Sequence, residues 1–208
     1  MPSVSIVDFV EQVRTGTALA SFPTDTVPAL AGRPDQGNRI YAAKARPADK
    51  PLILMGASWE DLQPYIQGDH AAVTTWRNLA DRYWPGALTL VLPASERVPM
   101  AMNPLQTGTV GIRVPAHPLA RHLLAQTGPL ATTSVNRSGQ PALEEMTAIA
   151  TQFPELLILS TAAITALKTT LGEFSIQASG VPSTVIAWRE SGWKVLRQGS
   201  VPVDEIGN

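Results

Sequence analysis

Apolar and polar positions follow two periods along this chain. Ile6, Phe9, Val10 and Val13 fall at i, i+3, i+4 and i+7, one face of a helix over 6–14. Ser5 or Ser3 can cap that helix and Gly16 can end it. The apolar run 18–22 stops at Pro23, which fits a strand entering a turn. A second helix over 36–45 turns Ile40, Ala43 and Lys44 inward. It ends before Pro47, because the residue preceding a proline avoids the α region. The spacing then predicts a buried strand over 52–55 and a short helix over 58–66, with Ser58 and Asp61 as a capping box. Helices follow over 71–83, 118–126 and 144–152, and strands over 88–92, 109–114, 130–134 and 156–159. The Thr-, Ser- and Gly-containing stretch 161–180 reads as a loop around a short helix. Strands over 183–188 and 193–197, joined by Arg189-Glu190-Ser191-Gly192, read as a hairpin.

Helices alternating with strands, closed by a hairpin, predict an α/β fold. Its sheet is a twisted open one that mixes parallel and antiparallel strands, with flanking helices. No repeat, low-complexity tract or compositional shift divides the sequence, so 1–208 reads as a single domain.

Composition narrows the function classes. With 44% hydrophobic and 16% charged residues, the 208-residue chain is globular rather than disordered. The longest apolar candidate, 156–167, is broken by Ser160, Thr161 and Thr165, which excludes a membrane span. The N-terminus lacks a basic region followed by an apolar core, so no signal peptide is expected. Cysteine is absent, which removes thiolate ligands and a cysteine nucleophile; the expected compartment is the cytoplasm.

A net charge of -1 argues against coating nucleic acid by bulk charge, yet the charge is uneven. Arg33, Arg39, Lys44, Arg46 and Lys50 lie within eighteen residues, opposed there only by Asp35 and Asp49. This stretch is read as one wall of an anion pocket.

The chain carries no GxxxxGK[ST] and no GxGxxG. His70, His117 and His122 show no metal spacing and read as structural or surface residues. Four polar groupings remain. Lys44 and Arg46 end a helix and Lys50 follows a turn. Cations there can simply complement the helix dipole, or form a phosphate cradle in which Arg supplies a planar fork and Lys a point charge. Thr24-Asp25-Thr26 can be ordinary turn chemistry, or can hold a polar substrate at a strand end. The run 132–139 ends a strand in hydroxyls and amides, which suit a tight turn or phosphate and ribose oxygens. By alternation Thr109, Gly111 and Arg113 share a strand face, and a buried Arg113 needs an anionic partner.

Seven segments carry a family resemblance: PTDTV, KARPADKPLILM, WPGALTLVLPA, TVGIRVPAHP, TTSVNRSGQPA, GVPSTVIAW and VLRQGS, in that order across about 21–200. Together they resemble the YrdC-like threonylcarbamoyl-AMP synthases. The resemblance implies a YrdC-like α/β domain with a basic concave face. It implies synthesis of threonylcarbamoyl-AMP and pyrophosphate from L-threonine, bicarbonate and ATP, for threonylcarbamoyladenosine modification of tRNA. Mg²⁺ would enter on the ATP phosphates, and tRNA or tRNA-modification proteins are the implied partners. Lys44, Arg46, Lys50, Thr109, Ser134, Asn136 and Arg197 would lie on the ATP side, with Lys44 and Arg46 in catalytic roles. Thr26, Arg113 and Thr184 would hold threonine. Where the family usually has an aromatic residue and a glycine after PT[DE]TV, this chain has Pro28-Ala29, which alters the wall near the threonine site. A YrdC-like module that binds RNA without making the adenylate is the alternative.

Overall fold

The computed structural model describes residues 3–47, 49–190 and 192–202. In chain order the elements are β1 (Ser3–Val4), α1 (Ile6–Thr15), β2 (Ala20–Phe22), β3 (Ala29–Gly32), α2 (Gly37–Lys44), β4 (Ile53–Met55), α3 (Trp59–Leu62) and α4 (His70–Tyr83). They continue with β5 (Leu88–Pro93), β6 (Thr109–Arg113), α5 (Pro118–Thr127), β7 (Leu130–Ser134), α6 (Met146–Gln152), β8 (Ile158–Leu159), α7 (Thr161–Leu171), β9 (Thr184–Arg189) and β10 (Gly192–Arg197).

Local signals set several boundaries as expected. The Ser5 side chain accepts from the Asp8 amide and Gly16 closes α1 in the left-handed region. Ser58 and Asp61 form the reciprocal capping box that starts α3. Other stretches depart from expectation. β3 follows Pro28 directly, and α7 is an eleven-residue helix rather than a short one. Ser191 of the expected hairpin turn, and Ala48 of the turn after α2, lie outside the described residues.

Eight strands form one sheet in the order β10-β9-β5-β6-β4-β7-β3-β2. β4 runs parallel to β6 and β5 parallel to β9; the other neighbours are antiparallel. β1 and β8 make a separate parallel pair, tied to the edge of β2 by a bridge between Ala20 and Leu157.

The sheet buries both faces, and strand alternation assigns each residue to one of them. Leu30, Leu54, Leu90, Ile112, Ala131 and Ile186 pack on one face against Ile40 of α2, Leu62 of α3 and Trp76 of α4. Ala29, Ala31, Met55 and Leu130 face the other way, onto Phe9 and Val13 of α1 and Leu123 of α5. The helices of that second layer cover one end of the sheet. Over β4, β6 and β7 the second face opens into a cavity. No helix among the described residues is long and apolar enough to cross a membrane.

α2 carries the cationic segment, so its seating matters for the cavity. Its first residue, Gly37, lies against the short 3-10 turn Met100–Met102; a Cβ there would meet the Ala101 carbonyl oxygen at 2.1 Å. Backbone cannot swing away as a side chain can. Gly37→Ala should therefore cost about 1–3 kcal/mol of stability, the usual range for overpacking, read as a lower urea midpoint with an unchanged slope.

Candidate active site

The cavity encloses about 250 Å³. Its walls come from several places in the chain. The turn after β2 supplies Thr26, Val27 and Pro28, and the segment after α2 supplies Arg46 and Pro51. Ile53 and Met55 of β4 form an apolar floor beside Arg113 of β6. β7 and its following turn bring Thr132, Ser134, Asn136 and Gln140; Ser183, just ahead of β9, and Arg197 of β10 complete the lining. Pro28 and Ala29 both line the cavity, and Ala29 stands opposite Ser134 in the β3–β7 register.

Three guanidinium groups thus reach the cavity, and no Asp or Glu is among its lining residues. Arg46 donates to the backbone carbonyls of Lys50 at 2.9 Å and Pro51 at 3.4 Å. Among the described residues no carboxylate forms an ion pair with it. Arg197 donates to the Ser183 carbonyl at 2.9 Å. Arg113 is 2% exposed and firmly held. Its Nε donates to the Gly86 carbonyl, one terminal nitrogen donates to Thr26 Oγ1 at 2.8 Å, and the other to Asp25 Oδ1 at 2.7 Å. Those contacts use three of five N–H groups and leave two for a ligand. Burial lowers the Arg113 pKa, an effect to which Arg197 adds, while Asp25 opposes it. Asp25 also accepts from the Ala116 amide, so the acid that balances Arg113 is fixed to the backbone.

Lys44 sits directly behind the cavity wall, 1% exposed. Its Nζ donates to the Ser134 carbonyl and to Asn136 Oδ1 at 2.9 Å, with Ser134 Oγ at 3.5 Å. Burial first, then the charge of Arg46, pushes its pKa down to about 7. The next residue, Ala45, is the helix C-cap and adopts the left-handed region (φ 49, ψ 43). That conformation reverses the chain, so that Lys44 points inward while Arg46 turns to the cavity. For a residue with a Cβ it is strained.

A strap crosses near the Thr26 end. The Gly180 amide and the Ser179 hydroxyl both donate to the Thr26 carbonyl. Farther back, His117 Nε2 pairs with the Ser175 carbonyl at 2.7 Å and the imidazole packs edge-on against Phe174. His117, at the start of α5, is thus a buried residue packed against the stretch 161–180, which the sequence predicts as a loop around a short helix.

Of the residues expected on the site, Thr26, Arg46, Arg113, Ser134, Asn136 and Arg197 line the cavity, and Lys44 touches two of them. The other three neither line it nor reach a residue that does through their side chains. Lys50 is exposed and offers its carbonyl to Arg46. Thr109 contacts Thr107 at the start of β6. Thr184 is fully buried, and its hydroxyl bonds Gly199 and Val201. Its neighbour Ser183 lines the cavity instead, since successive strand positions face opposite ways. Sequence reasoning missed Asp25 as the partner of Arg113, and missed Ser183 and Gln140. The demand that a buried Arg113 find an anion was the available signal for Asp25. Among the described residues no group of three His, Cys, Asp or Glu could hold a metal ion.

Two outcomes follow from this geometry. Ala45→Gly relieves the left-handed strain and should raise stability by about 0.5–1 kcal/mol in urea unfolding. Lys44 holds its proton to 10.5 at its ordinary value but only to about 7 in the fold. Between those values the unfolded chain binds more protons, so this group's contribution to stability rises with pH. The stability of the wild type relative to Lys44→Met should therefore grow from about pH 7 to 9 and be flat below about pH 6.

A family model for Sua5, YciO and YrdC, described as telomere recombination, matches residues 12–199. The threonylcarbamoyl-AMP synthase of Pyrococcus abyssi is 38% identical over 198 residues, covering 90% of this chain and 52% of that protein. The structure of P. abyssi Sua5 complexed with L-threonine superposes with a TM-score of 0.82 at 34% identity, over 97% of this chain and 56% of that one. Escherichia coli YciO gives a TM-score of 0.76 at 25% identity, over 97% and 92%. The chain thus spans about half the length of its P. abyssi relative. By the match to 12–199 and by the sheet that holds this cavity, the chain belongs to the Sua5/YciO/YrdC family.

Proposed function

We propose that the chain is a threonylcarbamoyl-AMP synthase, joining L-threonine, bicarbonate and ATP into threonylcarbamoyl-AMP with release of pyrophosphate. The observation that carries this reading is the cavity itself: three guanidinium groups with no lining carboxylate, in a chain of net charge -1. Such a site selects a polyanion in one part and a carboxylate in another. Arg46, with the Ser134–Asn136 turn, suits phosphate oxygens. Arg113, whose two remaining N–H groups stand beside the Thr26 hydroxyl, suits the carboxylate of an amino acid. A relative named threonylcarbamoyl-AMP synthase and a neighbour solved with L-threonine support the assignment.

In this reading threonine and bicarbonate give a carbamate whose oxygen attacks the α-phosphorus of ATP. Transfer of this kind depends on alignment and charge neutralisation rather than on a protein nucleophile. Arg46 neutralises the triphosphate and Arg113 fixes the amino acid over the apolar floor of Ile53 and Met55. Mg²⁺ would arrive on the phosphates, because the cavity offers donors and Asp25 is bound to Arg113. The product would serve tRNA modification in the cytoplasm.

The test is pyrophosphate release from ATP, Mg²⁺ and bicarbonate, with and without L-threonine. Strict dependence on threonine is expected, and release indifferent to threonine would sink the proposal. Arg46→Ala should weaken ATP binding by about tenfold or more, the loss of charge-assisted bonds to phosphate. Asp25→Asn, which lifts the charge that balances Arg113, should instead raise the KM for threonine and leave that for ATP nearly unchanged.

A further inference from the structure

We propose that Lys44 is the proton acceptor for carbamate formation, reached from the cavity through the hydroxyl of Ser134. This rests on the synthase reading above and gives Lys44 a role beyond charge.

The amine is buried without a counter-charge. Nζ has two close acceptors, the Ser134 carbonyl and Asn136 Oδ1, and both are uncharged. An ammonium has three N–H groups to place, whereas an amine has two and a lone pair. The third neighbour, Ser134 Oγ, accepts from Nζ at 3.5 Å, the longest of the three contacts, and faces the lone pair once the amine is neutral. No ion pair among the described residues includes Lys44. The charged groups that act on it or sit nearest it are cations, while Asp49, farther along the same segment, acts on Arg46. Arg46 follows it in the chain, and Arg137, from the turn after β7, donates to the carbonyl of the preceding Ala43. The same burial and charge that lower its pKa to about 7 leave the amine free to take a proton.

The path to substrate is short. Ser134 lines the cavity, and its hydroxyl donates to Asn136 Oδ1 at 2.6 Å. A hydroxyl hydrogen rotates freely about its C–O bond, so it can turn to Nζ instead. The step then balances. The threonine ammonium and bicarbonate give the carbamate, one water and one proton. A C–N bond forms, a C–O bond of bicarbonate breaks, and its oxygen leaves as water. The proton passes to Ser134 Oγ as the serine's own proton moves to Nζ. The carbamate oxygen next attacks the α-phosphorus and the bond to pyrophosphate breaks, with no further proton required. Lys44 has by then become a cation beside Arg46, on the wall assigned to the phosphates.

Threonine-dependent pyrophosphate release by the wild type at about pH 8.5 separates the two claims. If release lacks threonine dependence, the synthase reading fails and takes this inference with it. If release is present, kcat should fall as pH drops through about 7, and Lys44→Arg should lose about 100-fold or more in kcat. Arginine stays a cation and never accepts a proton at these pH values, so a kcat loss well beyond any change in ATP affinity marks the proton acceptor rather than a phosphate contact. Ser134→Ala should lower kcat in the same direction and Ser134→Thr should restore it. A flat kcat profile, or a Lys44→Arg enzyme within about threefold of wild type, would overturn the assignment to Lys44. Should Lys44→Arg fail to fold, the wild-type pH profile and the Ser134 pair decide the matter.

Discussion

An amine buried without a carboxylate can be satisfied only by neutral oxygens held rigidly in place. Lys44 finds them on β7 and the turn after it, ninety residues along the chain. That contact joins α2 to β7, which itself lies between β3 and β4 in the sheet. The position of Arg46, the strained backbone of Ala45 and the orientation of Ser134 and Asn136 all follow from it. Helix and strand could each form without this contact; the cavity wall could not. Arg113 obeys the same rule at the other end of the cavity, with the difference that its partner Asp25 is charged.

Most of the sheet was legible because its strands are apolar runs bounded by prolines and glycines. β3 was not. Ala29–Gly32 is a four-residue run of small side chains, all buried, so it carries no alternation to mark it. α7 was also under-read. Its threonines suggested a loop, yet Thr165, Thr169 and Thr170 each bond a carbonyl four residues back and so fit within the helix. Tertiary packing of Leu167 beneath it, which no local pattern announces, completes the case for a helix.

The site was legible by residue type more than by direction. Spacing brought Lys44 and Arg46 forward together but could not say that one would face the core and the other the cavity. The left-handed turn at Ala45 decides that, and alanine does not advertise it. Thr184 illustrates the opposite limit. A hydroxyl at the start of a strand is informative only once the parity of the strand is known, and one position separates a cavity wall from the core. Asp25 lies in the Thr24-Asp25-Thr26 turn, and its partner is identifiable only across a gap of 88 residues.

The clasp of Gly180 and Ser179 on the Thr26 carbonyl joins the first turn of the sheet to the approach of its last hairpin. The same half of the molecule supplies Ser183 and Arg197 to a cavity whose other walls come from residues 26–55, Arg113 and 132–142. The ligand site is therefore complete only when sequence-distant parts have met. Ligand binding at such a site draws on the cooperative stability of the whole sheet rather than on one loop. A bound ligand would accordingly slow hydrogen exchange in β2 and β9 alike, although some 160 residues of chain separate them.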